Sequence, residues 1–104
     1  MSDKIRIRAF LKKDIATIKV IISHPMETGL RKDKESGKTI PAHYITEVNA
    51  LLNDEKVLTC QWGSGVSKNP YLSFDLKDSK AGDKVRVVWS DNQGQSGEGE
   101  MQLS

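Results

Sequence analysis

The stretch Ile15-Ala16-Thr17-Ile18-Lys19-Val20-Ile21-Ile22-Ser23 decides the fold of this chain. Its residues alternate between the two faces of an extended strand, and one of these faces is wholly apolar. That face carries Ala16, Ile18, Val20 and Ile22. β-Branched residues dominate the stretch, and they favour strands because their stiff side chains pack well on a pleated sheet. The stretch therefore predicts a buried β-strand.

The same alternation recurs along the chain, interrupted by turn-forming residues at intervals of roughly eight to twelve residues. We predict strands at 4–10, 15–23, 45–52, 57–62, 71–77, 84–90 and 96–104. No stretch has the period of about 3.6 residues that marks an amphipathic helix. The sequence therefore predicts an all-β protein, an immunoglobulin-like antiparallel β-sandwich of about seven strands, as a single domain over residues 1–104.

Strand parity assigns three notable side chains to the core. Trp62 and Trp89 fall on inward faces, so we expect them to form the aromatic centre that a small core needs. Cys60, the only cysteine in the chain, shares its face with Leu58 and Trp62. A core-facing thiol is neither accessible nor activated, so we expect a structural Cys60, with a disulfide to another chain as the minor alternative.

The composition is ordinary for a soluble globular protein, with 29% charged residues, 37% apolar residues and a net charge of +2. Basic residues are scattered between Lys4 and Arg86 rather than clustered, which argues against nucleic-acid binding. No apolar run has the length of a signal peptide or a membrane span. We therefore expect no membrane contact and a cytosolic location, unless a partner carries the chain across a membrane.

The stretch Ser23-His24-Pro25-Met26-Glu27-Thr28-Gly29 ends the first long alternation and brings a histidine, a methionine and a carboxylate close together. A histidine at a strand end is more often hydrogen-bonded to the backbone than functional. Met26 is expected to be exposed, and with Pro25 it suits an adaptable contact with another protein. The polar interval over residues 25–38 predicts a long loop, and loops of this length are often functional or mobile. The sequence leaves open whether this loop is ordered.

No arrangement of residues indicates catalysis. His24 and His43 lie far apart on different elements, and because metal ligands normally come in close clusters, we predict no metal site and no cofactor. The chain has no glycine-rich phosphate loop, no paired catalytic carboxylates and no serine elbow. Lys68, Asn69 and Tyr71 come nearest to a nucleic-acid-binding arrangement, but they are more simply the cap of a hairpin. By elimination, the residues indicate a binding or assembly module.

Several longer motifs resemble the SoxZ family. They are Arg6-Ile7-Arg8, Ser23-His24-Pro25-Met26-Glu27-Thr28-Gly29, Lys38-Thr39-Ile40-Pro41-Ala42-His43-Tyr44-Ile45, Gln61-Trp62-Gly63, Val66-Ser67-Lys68-Asn69-Pro70-Tyr71, Lys80-Ala81-Gly82-Asp83-Lys84-Val85 and Trp89-Ser90-Asp91-Asn92-Gln93-Gly94. Together they cover nearly the whole chain. Members of this family are the small subunits of the SoxYZ sulfur carrier of thiosulfate-oxidising bacteria, and their immunoglobulin-like fold agrees with the strand pattern.

The resemblance implies a non-catalytic subunit that binds and stabilises SoxY, whose glycine-rich arm carries sulfur intermediates on a cysteine. This chain lacks such an arm, and Cys60 is not assigned that role. The resemblance also implies a heterodimer, transient contact with other Sox enzymes, and export to the periplasm with SoxY, whose precursor bears a twin-arginine signal. The residues that we assign to partner binding are His24, Met26, Glu27, Lys68 and Asn69.

Two alternatives remain open at the level of sequence. The first is a self-contained adhesion or ligand-binding sandwich without sulfur chemistry. The second is an enzyme, which a thiosulfate assay on the isolated chain would reveal.

Overall fold

The alternating segments pair into two antiparallel sheets in the computed structural model, which describes residues 5–104. In chain order the strands are β1 (Ile5–Lys12), β2 (Ile15–Ile22), β3 (Ile45–Leu52), β4 (Glu55–Gln61), β5 (Tyr71–Leu76), β6 (Lys84–Asp91) and β7 (Ser96–Gln102). One sheet has the strand order β1-β2-β5 and the other β4-β3-β6-β7. The predicted seven-stranded antiparallel sandwich is confirmed. Only Lys4 of the predicted strand residues lies outside the part that the structure describes, and residues 5–104 contain no helix long and apolar enough to cross a membrane.

Tight turns set the register of the β1-β2 hairpin in one sheet and of the β3-β4 hairpin in the other. Lys13 and Asp14 connect β1 to β2, and Asn53 and Asp54 connect β3 to β4. Asn53 and Asp54 have φ angles of 51° and 69°, and two consecutive positive values favour the twist that flanking strands need. Short polar side chains tolerate this conformation better than most others. The second turn is therefore shorter than the predicted turn over residues 53–56, and β4 begins at Glu55.

The core lies between the inward faces of the two sheets. Its largest fully buried side chains are Ile18, Ile22, Ile45, Val20, Val48, Val85 and Val87. Burying a side chain of this kind contributes about 1.5–3 kcal/mol relative to leaving it exposed. Trp89 is buried as predicted, whereas Trp62 and Cys60 are half-buried and pack against the margin of the core. The aromatic centre is therefore Trp89, and Trp62 lies at the margin of the core, just after the edge strand β4.

Two glycines allow β7 to pack against the interior and against β1. A methyl group on Gly97 would lie 2.7 Å from Nε1 of Trp89, and one on Gly99 would lie 2.9 Å from Cγ2 of Ile5. Both distances are too short for a carbon atom. Glycine weakens an isolated strand, yet it is required here because other elements approach its backbone.

The segment over residues 25–43 has structure, including its 25–38 portion, whose order the sequence leaves open. Backbone bridges pair Glu27 with His43 and Lys32 with Thr39, so the chain leaves the sandwich and returns alongside itself. These pairings are made by backbone groups, and a polar sequence therefore gives no sign of them. They place His43, just before β3, next to the residues that follow β2.

Candidate functional site

Asp91, the last residue of β6, lies at the centre of the candidate site. Its side chain is completely enclosed, with 0% exposure, and four donors surround it. The Nε2 atoms of His24 and His43 lie 3.0 and 2.8 Å from Oδ2. The backbone N–H groups of Gln93 and Gln95 donate to Oδ1 at 3.0 and 2.8 Å. A carboxylate can be buried here because both of its oxygens are satisfied.

Burial by itself would raise the pKa of Asp91. The hydrogen bonds outweigh burial, with His24 and the N–H of Gln95 foremost, and they lower the pKa from 3.8 to about 2. Asp91 is therefore ionised at neutral pH. Its charge ties together the segment after β2, the segment before β3 and the turn after β6.

The hydrogen bonds of His24 indicate its tautomer. The N–H of Met26 donates to Nδ1 of His24 at 3.1 Å, so Nδ1 carries no proton and Nε2 donates to Asp91. The His24 ring also packs edge-on against Trp89, with centroids 5.3 Å apart. Both ring nitrogens are occupied, and this histidine has no nitrogen left for acid–base chemistry.

The same three side chains have the spacing of metal ligands. One atom each from His24, His43 and Asp91 lies within 4.8 Å of the others. A metal ion on Nε2 of His24 would require a proton on Nδ1, where the N–H of Met26 already points. Two N–H donors would then face each other. The geometry therefore fits hydrogen bonds from the two histidines to Asp91 better than a metal ion bound by all three. The absence of a metal stays a prediction. The sequence placed the two histidines on different elements, but the fold brings their ring centroids to within 4.5 Å of each other.

A pocket of about 310 Å³ opens beside this cluster. Its wall combines both histidine rings and Trp89 with Lys68 and Asn69. The side chain of His43 is 20% exposed, and within residues 5–104 its Nδ1 has no hydrogen-bond partner. No serine or cysteine of that range hydrogen-bonds to either histidine. The pocket offers aromatic and polar surface for binding, and these residues form no paired nucleophile and base.

The residues predicted for partner binding gather at one end of the sandwich, but they differ in exposure. His24 and Asn69 are joined twice: the His24 N–H donates to Oδ1 of Asn69 at 3.1 Å, and the Asn69 N–H donates to the His24 carbonyl at 3.0 Å. Lys68 and Asn69 are exposed, whereas His24 is buried. Lys68 and Asn69 therefore offer contact surface, and His24 supports the loop from beneath.

Met26 belongs to the core, so the prediction of an exposed methionine was wrong. It is 5% exposed, and the N–H of Ile45 lies 3.3 Å from its sulfur. Its φ of 49° lies in the left-handed region, which few residues other than glycine adopt. A local conformation of this kind redirects the side chain in a way that alternation cannot anticipate.

Glu27 forms a surface ion pair. Its carboxylate accepts hydrogen bonds from Nε of Arg31, at 3.1 Å, and from Nη2 of the same side chain. The hydrogen bond from Arg31 lowers the pKa of Glu27, and the charges of Arg31 and Lys68 act in the same direction. The Glu27 side chain is 16% exposed, so it lies at the rim of the site beside its cationic partner.

Sequence reasoning missed Asp91 as a site residue. The order Asp91-Asn92-Gln93-Gly94 has the composition of an ordinary hairpin turn. A weak signal existed, because an aspartate at a strand end often caps the N–H groups of the following turn. Its contact with His43 depends on the pairing of β3 with β6, which sets Ile45 opposite Asp91. That pairing is not written in either segment alone.

The protein is an immunoglobulin-like β-sandwich, as its two sheets and their strand order define it, with a buried polar cluster at one end. Residues 5–102 match the family model described as sulphur oxidation protein SoxZ. The chain therefore belongs to the SoxZ family, which confirms the resemblance seen in its motifs and makes it a subunit of a Sox sulfur-oxidation system.

Solved structures support the fold. A hypothetical protein from Pyrococcus horikoshii OT3 is 18% identical and superposes with a TM-score of 0.67, over 96% of this chain and 85% of that one. A superoxide reductase in the oxidised state is 20% identical, with a TM-score of 0.61 over 96% of this chain and 86% of that one. At these identities the likeness concerns the fold alone. No curated protein matches the sequence.

Proposed function

We propose that this chain is the non-catalytic subunit of a SoxYZ sulfur carrier. It binds and stabilises SoxY and helps to present the sulfur-bearing arm of SoxY to the other Sox enzymes. The observation that carries the proposal is the family match over residues 5–102. Cys60, the only cysteine, is half-buried on β4, which suits a packing role better than that of a swinging carrier. The heterodimer acts in the periplasm, to which SoxY brings this chain.

At one end of the sandwich, a recognition surface contacts SoxY or the visiting enzymes. Its exposed members are Lys68 and Asn69, with Glu27 at the rim. His24 and Met26 lie beneath and hold the loop in place. Lysine and asparagine supply the polar contacts, while the neighbouring pocket supplies the concave shape that a protruding group of a partner needs.

Co-expression with SoxY tests the central proposal. We expect a heterodimer that stays associated through size-exclusion chromatography at micromolar concentrations. Two separate peaks from folded chains would contradict the proposal and favour a self-contained binding sandwich. A thiosulfate assay on the isolated chain should give no turnover, and measurable turnover would make the chain an enzyme.

A substitution at the recognition surface tests the site separately. Lys68→Ala removes an exposed ammonium, so we expect slower thiosulfate oxidation by the reconstituted system with an unchanged melting temperature. Lys80→Ala is the matched control, because Lys80 is also exposed and lies in the turn before β6. Equal rates for wild type and Lys68→Ala would remove Lys68 from the recognition surface.

A further inference from the structure

The outer face of the β1-β2-β5 sheet carries an unusual share of exposed apolar surface. Within residues 5–104, six large apolar side chains are exposed. Four of them lie on this face, namely Phe10, Ile15, Ile21 and Tyr71. Single exposed apolar residues need no explanation, but a group on one sheet face marks an interaction surface.

Strand register brings the apolar side chains next to cations. Ile21 on the central strand lies opposite Tyr71 on one side and Arg6 on the other. In the next row of the face, Lys19 lies opposite Arg8. Directly opposed residues on neighbouring strands have Cβ atoms about 5 Å apart, so these five side chains adjoin. They line a groove of about 230 Å³, which combines two large apolar side chains with three cations.

The charge on this face is strongly one-sided. Four cations lie on it: Arg6, Arg8, Lys12 and Lys19. The one carboxylate of these three strands is Asp75, which accepts a hydrogen bond from the hydroxyl of Thr17 at 2.8 Å. None of the four cations forms an ion pair with another residue of 5–104. The whole chain carries a net charge of only +2, so this face concentrates positive charge.

The chemistry of the face favours a protein over a nucleic acid as its occupant. Phe10 and Tyr71 stand on opposite edge strands and in different rows, on the order of 15 Å apart. Successive bases of one strand could not stack on both, as aromatic platforms for single-stranded nucleic acid require. The aliphatic Ile15 and Ile21 lie on the strand between them, where a protein partner would place apolar side chains.

We propose that this face docks SoxY through an acidic surface of SoxY with an apolar centre. The inference rests on the proposed function. It adds where SoxY binds on this chain and which kind of SoxY surface is recognised. The face is also continuous with the recognition surface. Tyr71 directly follows the loop of Lys68 and Asn69, and the N–H of Ile22 donates to the carbonyl of Pro70 at 3.0 Å. A partner seated on this face would therefore reach the pocket beside His43.

Binding affinity between purified chains tests the docking face, with the dissociation constant measured by isothermal titration calorimetry. Ile21→Thr keeps the β-branch and removes apolar contact, and Val57→Thr is its control at a similarly exposed position on β4. Arg8→Glu reverses a charge opposite Lys19, and Lys56→Glu reverses one on the other sheet. Melting temperatures of all four variants establish that each one is folded.

We expect the two variants of the docking face to weaken binding at least about tenfold, because a central apolar anchor and a charge at its rim are lost. Arg8→Glu should also flatten the dependence of affinity on salt. The control variants should bind as wild type does. If wild type binds SoxY and all four variants bind equally well, the docking face is overturned while the proposed function stands. If wild type does not bind SoxY, both fail.

A labelled single-stranded RNA supplies the remaining comparison. We expect no binding at micromolar protein. RNA binding that is lost in Arg8→Glu and kept in Lys56→Glu would assign the face to nucleic acid and overturn the proposal.

Discussion

Replacing Asp91 by asparagine should show how much the charge of the buried cluster contributes to the free energy of unfolding. Asparagine has nearly the same shape, and its Oδ1 can still accept the N–H groups of Gln93 and Gln95. Its amide nitrogen, however, replaces the oxygen to which His24 and His43 point. His24 cannot answer by moving its proton, because Nδ1 already accepts the N–H of Met26. Two donors are left facing each other inside the protein.

The pKa of Asp91 gives the size of the effect. A fall from 3.8 to about 2 corresponds to roughly 2 kcal/mol of folding free energy at neutral pH. Because the folded-state pKa is the lower one, this stabilisation is fully present above about pH 5 and is lost as the pH falls through 3.8 towards 2. Asp91→Asn should therefore destabilise the protein by about 2–4 kcal/mol at pH 7 and by clearly less near pH 2.5.

Urea unfolding, followed by tryptophan fluorescence between pH 2.5 and pH 7, measures this difference. Asp75→Asn is the control, since Asp75 is an exposed carboxylate on a strand and should lose less than about 0.5 kcal/mol. A loss below about 0.5 kcal/mol for Asp91→Asn at pH 7 would refute the reasoning. A loss of the same size at every pH would attribute the effect to shape rather than to charge.

Two further substitutions test the packing. Gly97→Ala should lower the free energy of unfolding in urea by about 1–3 kcal/mol, because the new methyl group would meet the ring of Trp89. Gly63→Ala, with open space around it, should be close to neutral, and equal losses for the two variants would contradict the close approach at Gly97. Met26→Ala should cost about 2–5 kcal/mol because it leaves a cavity, whereas Leu30→Ala, at an exposed position, should change stability by less than about 0.5 kcal/mol; a neutral Met26→Ala would return Met26 to the surface.

Much of the fold was predictable because strand parity is a local property. The apolar face over residues 15–23 is buried as its alternation requires, and all seven strands lie within two residues of their predicted bounds. Trp89 is buried for the same reason. Lys68 and Asn69 are at the surface, where a turn rich in polar residues and proline belongs. In each of these cases, neighbours in sequence decide the outcome.

The centre of the site was not predictable in this way. Asp91 meets His24 and His43 only because β3 pairs with β6 and because residues 25–43 fold back along themselves. The burial of Met26 depends on a left-handed backbone conformation that methionine seldom adopts. From the sequence, Gly97 indicates only a weaker strand, and its role becomes evident from the close approach of the Trp89 ring. These features arise from tertiary contacts, and local propensity does not encode them.

The central claim, that the chain serves as a subunit whose partner carries the sulfur, is tested most directly by mass spectrometry of the native complex isolated from cells oxidising thiosulfate. We predict that sulfur adducts add mass to SoxY alone, that this chain keeps its unmodified mass, and that Cys60→Ser leaves the adducts unchanged. Sulfur adducts on this chain that disappear in Cys60→Ser would contradict the claim and make Cys60 a carrier.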